Sequence, residues 1–216
     1  MKSYSTILFD LDGTLTDSSQ GIINSIIYAL KKYDINDYDM LLLKKFLGPP
    51  LHESFEKFFG FDKEKSLQAV KYYREYFSTK GLLENEVYCG ITDLLQNLKE
   101  NGKTLIVATS KPQPFTDRIM EHFDLAKYFD FIAGSNMDTT RSKKAEVIEY
   151  ALSECNIIDK SSVIMVGDRA EDMIGAQSVG IDSIGVEYGY GTFDELKNAG
   201  ATYIVKTVDE LKKLLS

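Results

Sequence analysis

Histidine and cysteine are nearly missing from this chain of 216 residues, and the shortage removes several chemistries at once. Cys89 and Cys155 are too few for a disulfide framework and form no C-x-x-C pair, so they read as two reduced, mostly buried thiols. His52 and His122 stand apart from each other and from any nucleophile elbow, which leaves neither a Ser-His-Asp arrangement nor a zinc ligand set. No apolar run approaches the roughly 20 residues that span a bilayer, and no secretory leader is recognisable at the amino terminus. A cytoplasmic home is the expectation. Basic residues are in deficit, 25 against 33 acidic, for a net charge of −8. Such a field repels polyanions, so neither nucleic acid nor an anionic membrane is an expected partner, and an anionic substrate has to be attracted locally.

The remainder is an ordinary globular composition, 44% hydrophobic and 27% charged, long enough for one domain with an insertion or for two small domains. Its organising stretch is Ile7-Leu8-Phe9-Asp10-Leu11-Asp12-Gly13-Thr14-Leu15. The apolar run reads as a buried strand, broken at Gly13-Thr14 where the backbone must turn. Alternation sends Asp10 and Asp12 the same way, at the strand end where open α/β sheets bind ligands. Two carboxylates held so close repel each other unless a cation sits between them, and a hard, oxygen-seeking ion such as Mg²⁺ fits that need.

Downstream, residues 18 to 33, 39 to 47, 50 to 59 and 64 to 78 repeat apolar residues at helical spacing, punctuated by Gly48-Pro49-Pro50 and Gly60-Phe61-Asp62. Ser18 or Asp17 is the expected cap of the first of these helices. No strand-like run occurs there, so residues 17 to 81 read as a small helical domain. From residue 84 the pattern alternates. Strands are expected at 104 to 109, 129 to 134, 162 to 167, 182 to 186 and 203 to 205, with helices at 91 to 101, 112 to 122, 143 to 155, 170 to 179 and 207 to 215. Runs such as Val163-Ile164-Met165-Val166, apolar on both faces, suit parallel strands covered on each side. The fold class is therefore α/β, a Rossmann-like doubly wound parallel sheet formed by residues 1 to 16 and 82 to 216, with the helical domain inserted after the first strand.

Each central strand is followed by polar residues, and in a parallel sheet these ends share one edge. Thr109-Ser110-Lys111 offers a hydroxyl and backbone amides ahead of a helix opened by Pro112, which suits phosphate oxygens as well as it suits a plain cap. Lys143 and Lys144 open the next helix, where a cation opposes the macrodipole and calls for an anionic partner. Gly167-Asp168-Arg169-Ala170-Glu171-Asp172 puts Asp168 at a strand tip and Asp172 one helical turn further on, within reach of the same point.

Taken together, Phe-Asp-Leu-Asp-Gly-Thr-Leu, the Thr109 strand end, the Lys144 helix and Gly-Asp-x-x-x-Asp resemble, in order and over both ends of the chain, the four motifs of the haloacid dehalogenase superfamily. The stretch from Gly180 to Thr192 is similar to its phosphoglycolate phosphatase-like branch, whose helical cap lies between the first and second motifs. The resemblance implies an Mg²⁺-dependent phosphatase acting on a small phosphorylated metabolite as a monomer or homodimer. It implies Asp10 as nucleophile, Asp12 as general acid and base, and Thr109, Ser110 and Lys144, in preference to Lys143, on the phosphate. The metal would be held by Asp10, the Asp12 backbone carbonyl and Asp168, with Asp172 behind them. The cap would close over the site and select the leaving group, with Lys45 or His52 as weaker candidates for touching substrate. Dehalogenases lack the second aspartate of the first motif, and the related sugar phosphomutases place a histidine where this chain has Ile22. Pyrophosphatase activity stays open, and a non-catalytic sensing module would be expected to have lost one of these residues.

Overall fold

The structure is a computed structural model in which residues 2 to 138 and 140 to 216 are described. The chain divides into two compact units, Met1–Asp17 with Val87–Ser216, and Ser18–Glu86.

The first unit is built on β1 (Thr6–Phe9), which is fully covered: Ile7, Leu8 and Phe9 have no exposed surface. Short strands β2 (Thr16–Asp17) and β3 (Glu86–Val87) pair with each other where the chain leaves and re-enters the unit. After α5 (Ile91–Glu100) come β4 (Thr104–Pro112), α6 (Gln113–His122), β5 (Phe131–Ser135), α7 (Lys144–Glu154), β6 (Val163–Gly167), α8 (Ala170–Val179), β7 (Asp182–Val186), α9 (Phe193–Asn198), β8 (Tyr203–Val205) and α10 (Val208–Leu215). Six strands form one sheet in the order β5-β4-β1-β6-β7-β8, every pairing parallel. Order and direction are those of a doubly wound α/β sheet. β1 lies centrally, Leu8 beside Ile106 on one side and Met165 on the other. One core layer gathers Leu8, Ile106, Ala133, Val147, Ile148, Met165 and Ala176, which seats α7 and α8 on the sheet.

The second unit is helical: α1 (Ser19–Lys31), α2 (Met40–Lys44), α3 (Leu51–Phe59) and α4 (Lys63–Tyr76), the last running into a π-helical turn over Phe77–Gly81. Its interior is aromatic, Phe46, Phe55, Phe59 and Phe61 sharing edge and stacked contacts. Gly21 and Gly81 let α1 and the π turn touch through backbone, since a Cβ on Gly21 would overlap the Gly81 carbonyl.

Several boundaries differ from the sequence reading for local reasons. A 3₁₀ turn at Ala126–Tyr128 precedes the stretch expected as a strand from Phe129, whose amide closes that turn by donating to the Ala126 carbonyl, and β5 starts at Phe131. Ser18 occupies the N-cap position of α1 without a capping side-chain bond. Helix α9 was not anticipated, being six residues with only Leu196 buried, although Thr192 accepting from the Glu195 amide is the capping signal that announces it. Cys89 is exposed and not buried as expected, because it lies in the turn ahead of α5. Among the described residues, no helix is long and apolar enough to cross a membrane.

Candidate active site

The carboxyl ends of β1, β4 and β6 deliver the polar residues to one place. Asp10, 9% exposed, leaves β1 with its amide donating to the Val166 carbonyl of β6, so the aspartate is fixed by the neighbouring strand. Gly13, at φ +82°, turns the chain immediately after, and its lack of a side chain matters twice: the conformation favours glycine, and a Cβ there would overlap Asp168. Asp168 at the tip of β6 and Asp172 in the first turn of α8 are buried. One oxygen from each of Asp10, Asp168 and Asp172 lies within 4.8 Å of the others.

Lys144, in the first turn of α7, crosses to this cluster. Its Nζ stands 2.8 Å from Asp10 Oδ1 and 2.8 Å from Asp172 Oδ1, and donates to the Ala108 carbonyl at 3.0 Å. Burial works against the ammonium, but the two carboxylates outweigh it and hold the group above the ordinary lysine range. Gly175 on α8 makes room for the lysine stem, since a Cβ would come within 2.7 Å of Lys144 Cγ. Lys143 is the N-cap residue of α7, its amide donating to the Glu146 carboxylate at 3.2 Å.

Asp172 reaches back with Oδ2 to the Arg169 amide, closing the start of α8. Burial pushes its carboxyl up to about 6, with Lys144 opposing and Asp10 adding to the rise. Asp168 is raised well above the usual carboxylate range, first by burial and then by Asp172 and Asp10. It accepts from the Tyr190 amide at 2.7 Å and, at 3.4 Å, from the Thr14 hydroxyl. The Tyr188-Gly189-Tyr190-Gly191 segment lies tight against it, because Cβ atoms at Gly189 and Gly191 would overlap Asp168. The Tyr188 hydroxyl ties the segment to the Thr14 carbonyl.

Asp12 is turned away from the three clustered carboxylates. Its Oδ2 accepts from Lys111 Nζ at 2.6 Å, while the buried Oδ1 has no hydrogen-bond partner. Thr109 is buried, and its hydroxyl oxygen accepts from the Lys111 amide, so one of the amides expected to face phosphate is already engaged; Ser110 is exposed. Of the residues expected from the sequence, Asp10, Lys144, Asp168 and Asp172 come together in one cluster, while Asp12 pairs with Lys111; the Lys111 side chain, the Tyr190 amide and Glu195 were not singled out in the sequence. Glu195 of α9 accepts from Arg169 Nε at 2.7 Å and from the Ala170 amide at 3.0 Å, which braces the Asp168–Asp172 turn. A lone lysine after a strand carries no pattern of its own; only the T-x-x-E cap at Thr192 was available to find Glu195.

The donor set is all hard oxygen. Three carboxylates face one ammonium within the cluster, an excess of buried negative charge that a divalent cation would cancel, so the residues present fit such an ion.

Asp10 after β1, Lys144 from α7 and the acidic pair Asp168 and Asp172 after β6 thus gather at one edge of the α/β sheet. The family model described as "Haloacid dehalogenase-like hydrolase" matches residues 7–186, and the chain belongs to that family. It is similar to a 5'-nucleotidase of Pseudomonas aeruginosa, 42% identical over 98% of this chain and 96% of that protein. Another relative is the tyrosine-protein kinase PtkA of Mycobacterium tuberculosis, 37% identical over 97% of this chain and 72% of that one. Among solved structures, one described as a predicted phosphatase from Clostridium acetobutylicum superposes with a TM-score of 0.93 at 52% identity, covering 99% of both chains.

Proposed function

We propose that this chain is a Mg²⁺-dependent phosphatase that hydrolyses a small phosphomonoester through an aspartyl-phosphate intermediate. The observation that carries the reading is Lys144 bonded at once to Asp10 and Asp172, with the Asp12 carboxylate held separately beside them. Asp10 attacks phosphorus as the ester P–O bond breaks, and Asp12 gives a proton to the departing oxygen, which keeps the bonding pair. Asp12 then takes a proton from the water that attacks phosphorus; the Asp10 O–P bond breaks, inorganic phosphate leaves, Asp10 returns to the carboxylate and Asp12 to the protonated acid. Lys144 and the Thr109 hydroxyl, with the Ser110 amide, hold the transferring oxygens. Asp10, the Asp12 backbone carbonyl and Asp168 would hold the cation, with Asp172 supporting them. That ion supplies screening of the repulsion between anionic nucleophile and anionic phosphate. The helical unit is assigned the choice of leaving group.

The 42% identity to a 5'-nucleotidase puts nucleoside 5'-monophosphates first among candidate substrates, ahead of phosphoglycolate and sugar phosphates. The test is release of inorganic phosphate from a panel of these esters and pyrophosphate, with Mg²⁺ and after chelation, for the wild type and for Asp10→Asn. The expected result is turnover of at least one monoester that disappears on chelation and in the variant. Hydrolysis indifferent to both, or confined to pyrophosphate, would overturn it.

A further inference from the structure

We infer that Lys111 is a positioning residue that fixes the Asp12 carboxylate with one oxygen presented to the ester oxygen of the leaving group. The inference rests on the phosphatase reading and deepens it.

Lys111 leaves an irregular stretch of the β4 backbone. The strand's register against β5 runs regularly to Ala108 beside Ala133, then slips, so that Pro112 stands beside Ser135; four steps along β4 match two along β5. Such a bulge re-aims the side chains within it. Thr109, Ser110 and Lys111 are the residues inside the slip, and they are pinned there. The Thr109 hydroxyl oxygen accepts from the Lys111 amide at 3.2 Å, Ser135 Oγ donates to the Ser110 carbonyl at 2.8 Å, and Thr116 Oγ1 donates to the Lys111 carbonyl at 3.3 Å. A lysine backbone held at both its amide and its carbonyl has little freedom in where its stem departs.

That stem carries Nζ to Asp12 Oδ2, 2.6 Å away, across 99 residues of sequence. The lysine side chain is only 7% exposed, so the pair is shielded from water and from the side-chain disorder that makes surface ion pairs weak. Asp12 is left with a clear division of labour. Oδ2 is committed to the ammonium, while Oδ1 is buried without a partner. An unpartnered buried oxygen is costly to maintain, and a carboxyl that must exchange a proton with an ester oxygen needs one oxygen kept open in this way. The same bond holds Asp12 apart from the Asp10–Asp168–Asp172 cluster, where a bound cation would otherwise attract its carboxylate. Lys111 therefore acts through Asp12; binding of phosphate is left to Lys144.

A residue that works through the general acid matters in proportion to how much the departing oxygen needs a proton. The experiment compares Lys111→Met, Lys111→Arg and wild type in kcat/KM, which reports the steps through departure of the leaving group, for an alkyl monoester and for p-nitrophenyl phosphate. Thermal unfolding of each variant accompanies the rates. For Lys111→Met, kcat/KM is expected to fall at least thirtyfold on the alkyl ester and less than threefold on p-nitrophenyl phosphate, whose leaving group departs unaided. Lys111→Arg should recover most of the alkyl activity. Equal losses on both esters, a loss confined to KM, or no loss on either would overturn the role of Lys111. Failure of the wild type to hydrolyse either ester would instead sink the phosphatase reading.

Discussion

Asp168 and Asp172 are carboxylates whose burial disfavours their charged forms, and the direction of that effect fixes how stability depends on pH. An aspartate in the unfolded chain titrates near about 3.9; in the fold Asp172 is pushed up to about 6 and Asp168 is also raised. The folded state therefore binds more protons than the unfolded state between those values, and ion-free protein should lose stability as pH rises from about 4 through about 6. A cation bound by the same carboxylates opposes this. The midpoint of thermal unfolding should rise on adding Mg²⁺ at pH 7.5 and rise far less at pH 5; an equal shift at both would contradict it. For the chemistry, Lys144→Ala should lower kcat at least a hundredfold, in line with the loss of about 2.7 to 4 kcal/mol seen when a preorganised donor is removed. Steady-state rates of the purified variant check this. Gly13→Ala should destabilise by at least about 1 to 3 kcal/mol, from overpacking against Asp168 and an unfavourable positive φ, measurable by urea unfolding.

At the scale of elements, the junction of α7 and α8 joins packing to the site. Gly175 is the contact that lets α8 lie against the Lys144 stem, so Gly175→Ala should reduce turnover as well as stability by displacing Lys144. Unaltered kcat in a folded Gly175→Ala protein would show that the lysine has room to spare. Elements also show what was legible in the sequence and what was not. β1 and β6 were readable because a strand buried on both faces is dominated by apolar residues, and runs of that length fit this strand–helix alternation. The aspartates after β1 and β6 were readable because turn residues follow them at once. The slip in β4 was not. It depends on pairing with β5, and no local signal in Thr109-Ser110-Lys111 reveals that a strand will be paired out of step. Lys111 was accordingly read only for its backbone. The π turn at Phe77–Gly81 escaped for a similar reason, being a tertiary adjustment at the end of α4 where a helical pattern fades into a glycine.

For the whole molecule, the −8 charge and the cationic side chains of the site pull in opposite directions on an anionic substrate. Distant charges are screened within about 10 Å at 0.1 M salt, whereas buried Lys144 and Lys111 keep their effect. Moderate salt should therefore leave kcat/KM level or raise it slightly. A steep fall between 0.02 and about 0.15 M KCl would mean that long-range attraction draws substrate in, which the charge balance argues against.

The placement of β1 in mid-sheet carries a temporal implication. Leu8 leaves the ribosome well before its two neighbours, Ile106 and Met165, are synthesised. The segment that leads to Asp10 must wait, apolar and unpaired, until both neighbouring strands have been made, a delay that slows assembly and invites association with other nascent chains. Catalytic competence then arrives late and all at once, so a ribosome-stalled product ending before β6 should be inert however well its helices have formed.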